Sequence, residues 1–260
     1  MTLQKPTIVL STDTLPWYGL DYIFDTAAEL GFDGIDLAMW KNFDAWNSKY
    51  VKKLIAEYKL PVKIIQTSTE VSAKEIEQAL ILAQEVSAEV IAFNAPSYFN
   101  IRSFRLITDW IPQRKEQFPD LQFAIITPES TSMTLLPVFP KYRFSSIVEI
   151  IKKYHWMLWL DVSSISEDSR DTIVLRKLEN IKQYISVIYA SDKSWTGKTH
   201  LPLWDGTLAV NSLLQQLAKH KYTGLFSIKL SLAKKDLADV DKVSIFLRKS
   251  IWYIKEYFHE

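Results

Sequence analysis

A single (β/α)8 barrel is the fold this sequence predicts, on three observations. Short β-branched runs alternate with longer amphipathic stretches from one end to the other, the pattern of repeated βα units. Read through, that alternation yields eight strands and eight helices with no element left over. The length, 260 residues, suits one such barrel, which typically runs to about 250. No linker, short-period repeat or low-complexity tract divides the chain, so residues 1–260 read as one α/β domain.

The elements follow in order. Thr7–Ser11 is the first apolar run and the first strand. Leu20–Leu30 carries Ile23, Ala27 and Leu30 at helical spacing, and Gly31 stands where a helix C-cap favours a left-handed residue. Residues 34–39 form the second strand, Ser48–Tyr58 the second helix and 60–66 the third strand. A helix over 72–86 is capped by Ser72, with Glu75 three residues on, which is a capping box. Its apolar stripe is Ile76, Leu80, Ala83 and Val86. Residues 89–94 read as the fourth strand, and 104–117 as a helix that Pro112 should kink or split. The fifth strand, 121–127, is closed by Pro128. The connection over 129–143 lacks periodicity and contains Pro137 and Pro140; long connections of this kind often serve as lids. Then come a helix over 144–154, a strand over 156–161, a helix over 172–181 and a strand over 186–191. A helix over 208–220, a strand over 225–230 and a terminal helix over 240–258 complete the count.

Composition narrows the function. The chain is 48% hydrophobic, ample for one large core, and its formal net charge of +1 creates no field that favours nucleic acid or a membrane surface. It has no cysteine, which excludes disulfides and thiolate chemistry. Only six glycines are present, with no phosphate-cradling loop, no dinucleotide fingerprint and no placeable Ser-His-Asp arrangement. The apolar run at the N-terminus is too short for a signal peptide, and no run approaches the roughly 20 residues of a membrane helix. A cytoplasmic protein is the expectation. Nine tryptophans are a surplus that suits either sugar stacking or compositional drift.

Five segments carry a resemblance. They are Ala27-Ala-Glu-Leu-Gly-Phe-Asp-Gly-Ile-Asp-Leu37, Leu158-Trp-Leu-Asp161, the pair Val187-Ile-Tyr-Ala-Ser-Asp192 and Leu203-Trp-Asp-Gly-Thr-Leu208, and Tyr222-Thr-Gly-Leu-Phe-Ser-Ile-Lys229. In this order and spacing the chain resembles the xylose isomerase-like TIM barrels, which include sugar isomerases, sugar epimerases, inosose dehydratases and endonuclease IV. The resemblance implies a sugar or sugar-phosphate isomerase or epimerase. It also implies a divalent metal held by a Glu ending the fifth strand, an Asp ending the sixth, a His in the seventh and a Glu ending the eighth. Here those positions fall on Thr127, with Glu129 two residues on, Asp161, Tyr189 and Lys229. Only Asp161 matches, and Ser164 stands where a His often follows it. A hard cation wants several oxygen ligands with carboxylates among them. The family's metal is therefore not expected, nor any other cofactor, and the endonuclease reading falls with it.

Asp161 and Lys229 are the candidate catalytic pair. The Lys229 ammonium would stand in for the metal, either as an electrostatic agent or as a general acid, and would pair with Asp161 and with Asp36. The alternative is a salt bridge left behind by lost activity. Asp36, Thr127, Tyr189, Asp192, His200 and Trp204 are the candidate substrate-binding residues. Asp192 and His200 suit a carboxylate and a proton carrier, although His200 also reads as an exposed loop histidine. The expected partner is a small carbohydrate-like molecule. A non-catalytic binding protein descended from the same family is the second reading.

Overall fold

The structure, a computed structural model, describes residues 5–68, 72–94, 105–127, 149, 151–164, 178 and 181–258. The expected connection over 129–143, with Glu129, lies outside the described residues, as do most of the helices expected over 144–154 and 172–181.

Eight parallel strands pair in sequence order, and the last returns to the first. They are β1 (Thr7–Ser11), β2 (Gly34–Ala38), β3 (Val62–Gln66), β4 (Val90–Asn94), β5 (Gln122–Ile126), β6 (Met157–Asp161), β7 (Ile185–Tyr189) and β8 (Leu225–Ile228). The closing register sets Leu10 opposite Ile228. Successive side chains point to opposite faces of a strand. One set, including Val9, Ile64, Ala92, Ala124, Trp159 and Val187, packs on itself as an inner core. The other, including Ile8, Leu10, Ile35 and Ile65, packs against the surrounding helices. Both faces are covered, so the strands read as near-continuous apolar runs.

The helices form where the periodicity places them. α1 (Leu20–Leu30) buries Leu20, Ile23, Phe24 and Ala27 and ends on Gly31 in the left-handed conformation, φ 74°. α2 (Ser48–Tyr58) starts on the Asn47 side chain, which accepts from the Tyr50 N–H. α3 (Ala73–Val86) carries the expected capping box: Ser72 Oγ accepts from the Glu75 N–H, and Glu75 returns the bond to the Ser72 N–H. The helix expected over 104–117 is split next to Pro112, as expected, into a π turn over Leu106–Trp110 and the short α4 (Ile111–Lys115). Pro112 has no N–H to offer the Thr108 carbonyl, so a wider turn precedes it. α5 (Val210–Lys219), α6 (Lys234–Leu237) and α7 (Val240–Lys255) complete the shell among the described residues. None of these helices is long and apolar enough to cross a membrane.

The strands stop slightly earlier than expected at the closing seam. β8 ends at Ile228 rather than 230, because the Leu230 N–H leaves the ladder for Thr14 Oγ1, 3.1 Å away. β7 ends at Tyr189, and the chain then folds back so that Asp192 pairs antiparallel with Leu201.

Candidate functional site

The C-terminal end of the barrel interior is polar where the rest is apolar. Asp36 is fully buried on β2. Both its carboxylate oxygens accept from Gln66 Nε2 at 2.6 Å, and Oδ2 also accepts from Ser227 Oγ at 2.6 Å. Burial pushes the Asp36 carboxyl up to about 7; the Ser227 and Gln66 bonds and the Lys229 charge limit the rise. Ser11 Oγ and Tyr189 Oη lie buried beside this network. Burial first, then the negative charge of Asp36, Asp13 and Asp161, pushes the Tyr189 phenol well above its ordinary value. Its ring packs 4.7 Å from Trp159 and meets His200 edge-on at 5.7 Å.

Lys229 does face this end of the barrel, with its Nζ 5.0 Å from the centre of the Tyr189 ring. Its ion-pair partner corrects the sequence reading. The ammonium lies 3.0 Å from Asp13 Oδ2, and Asp13 also holds Lys41 at 3.1 Å. Barrel closure supplies the reason. β8 pairs with β1 and β7, so the carboxylate just past β1 stands next to Lys229, while β6 is two strands away. Burial pushes the Asp13 carboxyl up, but the two lysines outweigh it and hold the group below its ordinary value. The Lys229 and Asp13 side chains are 19% and 10% exposed, so solvent reaches the pair.

Asp161 is satisfied by its own loop. Oδ1 accepts from the Ser163 N–H at 3.1 Å and from Ser163 Oγ at 2.8 Å, and Oδ2 accepts from Ser164 Oγ at 2.5 Å. Thr127, buried at the end of β5, uses its Oγ1 to accept from the Asp161 N–H at 2.8 Å, so it positions the strand rather than facing outward. His200 is not an exposed loop residue. It is 4% exposed, with Nε2 3.5 Å from Asp161 Oδ2 and Nδ1 near the Ser163 and Ser191 hydroxyls at 3.2 and 3.3 Å. The reversal at Asp192 and Leu201 carries it there, and its carbonyl accepts from the Ser231 N–H at 2.7 Å.

Two expected binding residues are used elsewhere. The Asp192 carboxylate accepts from the N–H groups of Lys193, Gly206 and Leu208, which clips the loop shut; burial nevertheless raises its pKa. Trp204 stacks on Phe246 of α7 at 6.3 Å and lies under Lys249, 3.9 Å from its Nζ, which ties the loop to the outer shell. Asp13 and Lys41 were missed. The available signal was position: Asp13 follows the first strand as Lys229 follows the last, and a closed barrel makes those strands neighbours.

The four positions that the resemblance assigns to a metal do not fit one. Thr127 is committed to a backbone N–H, Tyr189 is held neutral, and Lys229 brings a cation. Among the described residues no three His, Cys, Asp or Glu side chains gather to hold an ion.

Comparison with solved structures places this barrel. The 3-keto-D-glucoside 4-epimerase of E. coli superimposes with a TM-score of 0.69 at 15% identity, over 97% of this chain and 100% of that one. A xylose isomerase domain protein from Alicyclobacillus acidocaldarius superimposes with a TM-score of 0.73 at 12% identity, over 97% and 98%. The fold is that of the xylose isomerase-like TIM barrels. A probable 3-DHS dehydratase from Bacillus anthracis shares it, with a TM-score of 0.67 at 16% identity over 95% and 98% of the two chains. No protein-family model matches the sequence, and comparison with curated proteins finds no relative.

Proposed function

We propose that the strand-end face takes a small carbohydrate-like molecule, a sugar or sugar phosphate, and acts on it as an isomerase or epimerase without the divalent ion that the family resemblance implies. The observation that carries this reading is the Lys229 ammonium. It is fixed over the Tyr189 ring, held by Asp13 and within reach of solvent at the end of the barrel where such folds do chemistry. Epimerases and dehydratases among the similar structures lend it support. In this reading the ammonium donates to the substrate carbonyl oxygen. A proton leaves the adjacent carbon for the His200–Asp161 pair, and the electrons of that C–H bond form an enediolate whose oxygen charge Lys229 stabilises. The proton returns to the neighbouring carbon or to the opposite face. A net charge of +1 supports a small-molecule partner over nucleic acid or a membrane.

A second reading rests on a specific observation. Trp159 and Tyr189 fill the upper barrel, and Asp161 is already saturated by Ser163 and Ser164. That arrangement suits a protein that binds such a molecule without turning it over. The deciding experiment incubates the protein with a panel of ketoses, aldoses and their phosphates in deuterium oxide and follows deuterium entering the carbon beside the carbonyl by NMR. The enzyme reading expects exchange with at least one sugar, reduced about 100-fold or more in Lys229→Met. Binding without exchange selects the second reading, and neither binding nor exchange across the panel defeats both.

A further inference from the structure

The opposite end of the barrel holds a cavity of about 610 Å³. The N-terminal face of such a barrel usually concerns stability rather than chemistry. A cavity of ligand size there therefore calls for an explanation. Its floor is apolar, formed by Val90, Met157 and Leu225 at the strand starts. One wall is cationic. Lys182 comes from the turn before β7, and His220 and Lys221 come from the end of α5. Lys182 Nζ lies 3.2 Å from His220 Nδ1. An ammonium can only donate, so Nδ1 accepts and the neutral ring carries its proton on Nε2, a further donor.

The described residues do not neutralise these charges. Lys63 and Glu89, also on the lining, pair with each other and cancel. Among the described residues no carboxylate pairs with Lys182 or Lys221. The last turn of α5 attracts cations to its carbonyls, but that attraction requires neither a cavity nor an unpartnered hydroxyl. Ser186 supplies the second observation. It lines the same cavity, is 5% exposed, and its Oγ has no hydrogen-bond partner among the described residues. A buried donor left unmade is costly.

We propose that this cavity binds a small phosphate-bearing polyhydroxy molecule. Its oxyanion is held by Lys182 and Lys221 and accepts from the Ser186 hydroxyl. Ionised donors make the stronger hydrogen bonds to a phosphate. The volume exceeds what a phosphate alone fills. Gln122, Gln216 and Thr223 line the remainder and offer amide and hydroxyl partners to a polar body. The site lies at the end of the barrel away from Lys229 and stands independently of the reaction proposed above.

The test titrates the full-length protein with inorganic phosphate and with glycerol phosphate by calorimetry, at ionic strength matched with chloride. Saturable binding is expected. It weakens about tenfold or more in Lys182→Gln with Lys221→Gln, both exposed positions whose change leaves the fold intact, and it persists in Lys229→Met at the other end. Ser186→Ala separates a binding role from a structural one: without phosphate its Tm is unchanged or raised, because an unpartnered hydroxyl is removed, while its phosphate affinity falls several-fold. Heats no larger than with chloride overturn the proposal. So does binding that survives the double lysine variant or disappears in Lys229→Met.

Discussion

Asp36 sits inside the barrel with its carboxyl pushed up to about 7 by burial, against about 3.9 for an unfolded aspartate. Between these values the folded protein keeps a proton that the unfolded chain has lost, so stability falls as pH rises from about 4 to 7. The loss above pH 7 is on the order of 4 kcal/mol. Asp36→Asn should remove this slope: its urea midpoint should stay flatter from pH 5 to 8 than that of the natural protein, and parallel curves would refute the account. Asp13 behaves in the opposite sense. Its depressed value makes the pair with Lys229 and Lys41 stabilising above about pH 4, and that contribution is lost as pH falls through the folded value. The partner of Lys229 is testable by double-mutant cycles. Lys229→Met should cost about 1–2 kcal/mol, less than a fully buried pair, because Asp13 keeps Lys41. Combined with Asp13→Asn the costs should be non-additive, whereas combined with Asp161→Asn they should add. The donor set around Asp161 gives a third expectation. Elemental analysis of the purified protein should find no stoichiometric Mn, Zn or Mg that is lost on Asp161→Ala.

At the scale of elements, local rules and packing divide the work. The 72–86 helix was legible because its cap and its apolar stripe are both local. The 104–117 helix was legible in position and in its break at Pro112; the wider turn that precedes the break was not. The loop after β7 was the hardest to read. Its shape depends on Asp192, whose carboxylate gathers three N–H groups up to 16 residues away. Gly206 belongs to that clip: a Cβ there would lie 2.3 Å from Asp192 Oδ1 and 2.6 Å from the Lys193 carbonyl. Gly206→Ala must therefore open the clip, at a cost of about 1–3 kcal/mol. His200 should then leave Asp161, seen as a changed imidazole shift by NMR; an unchanged shift with unchanged stability would rule out the clip.

For the whole molecule, closure is the step that assembles the site. The Asp13–Lys229 pair, the Asp36–Ser227 bond and the Thr14–Leu230 bond all join the first strands to the last, 191 to 216 residues apart. A chain truncated before Leu225 should show no cooperative unfolding, because it exposes two strand edges and leaves Asp36 without Ser227 and Asp13 without Lys229; a sharp urea transition in that fragment would contradict this. The sequence by itself determined the barrel, the order of its elements and the placement of Asp36, Asp161 and Lys229 at one end, because alternation, caps and turns act over a few residues. Only the tertiary structure decided which charges meet. Lys229 found Asp13 rather than Asp161, His200 was drawn inward to Asp161, and Trp204 was drawn outward to α7. An ion pair forms with the nearest carboxylate in space, and in a closed barrel the nearest strand to the last is the first.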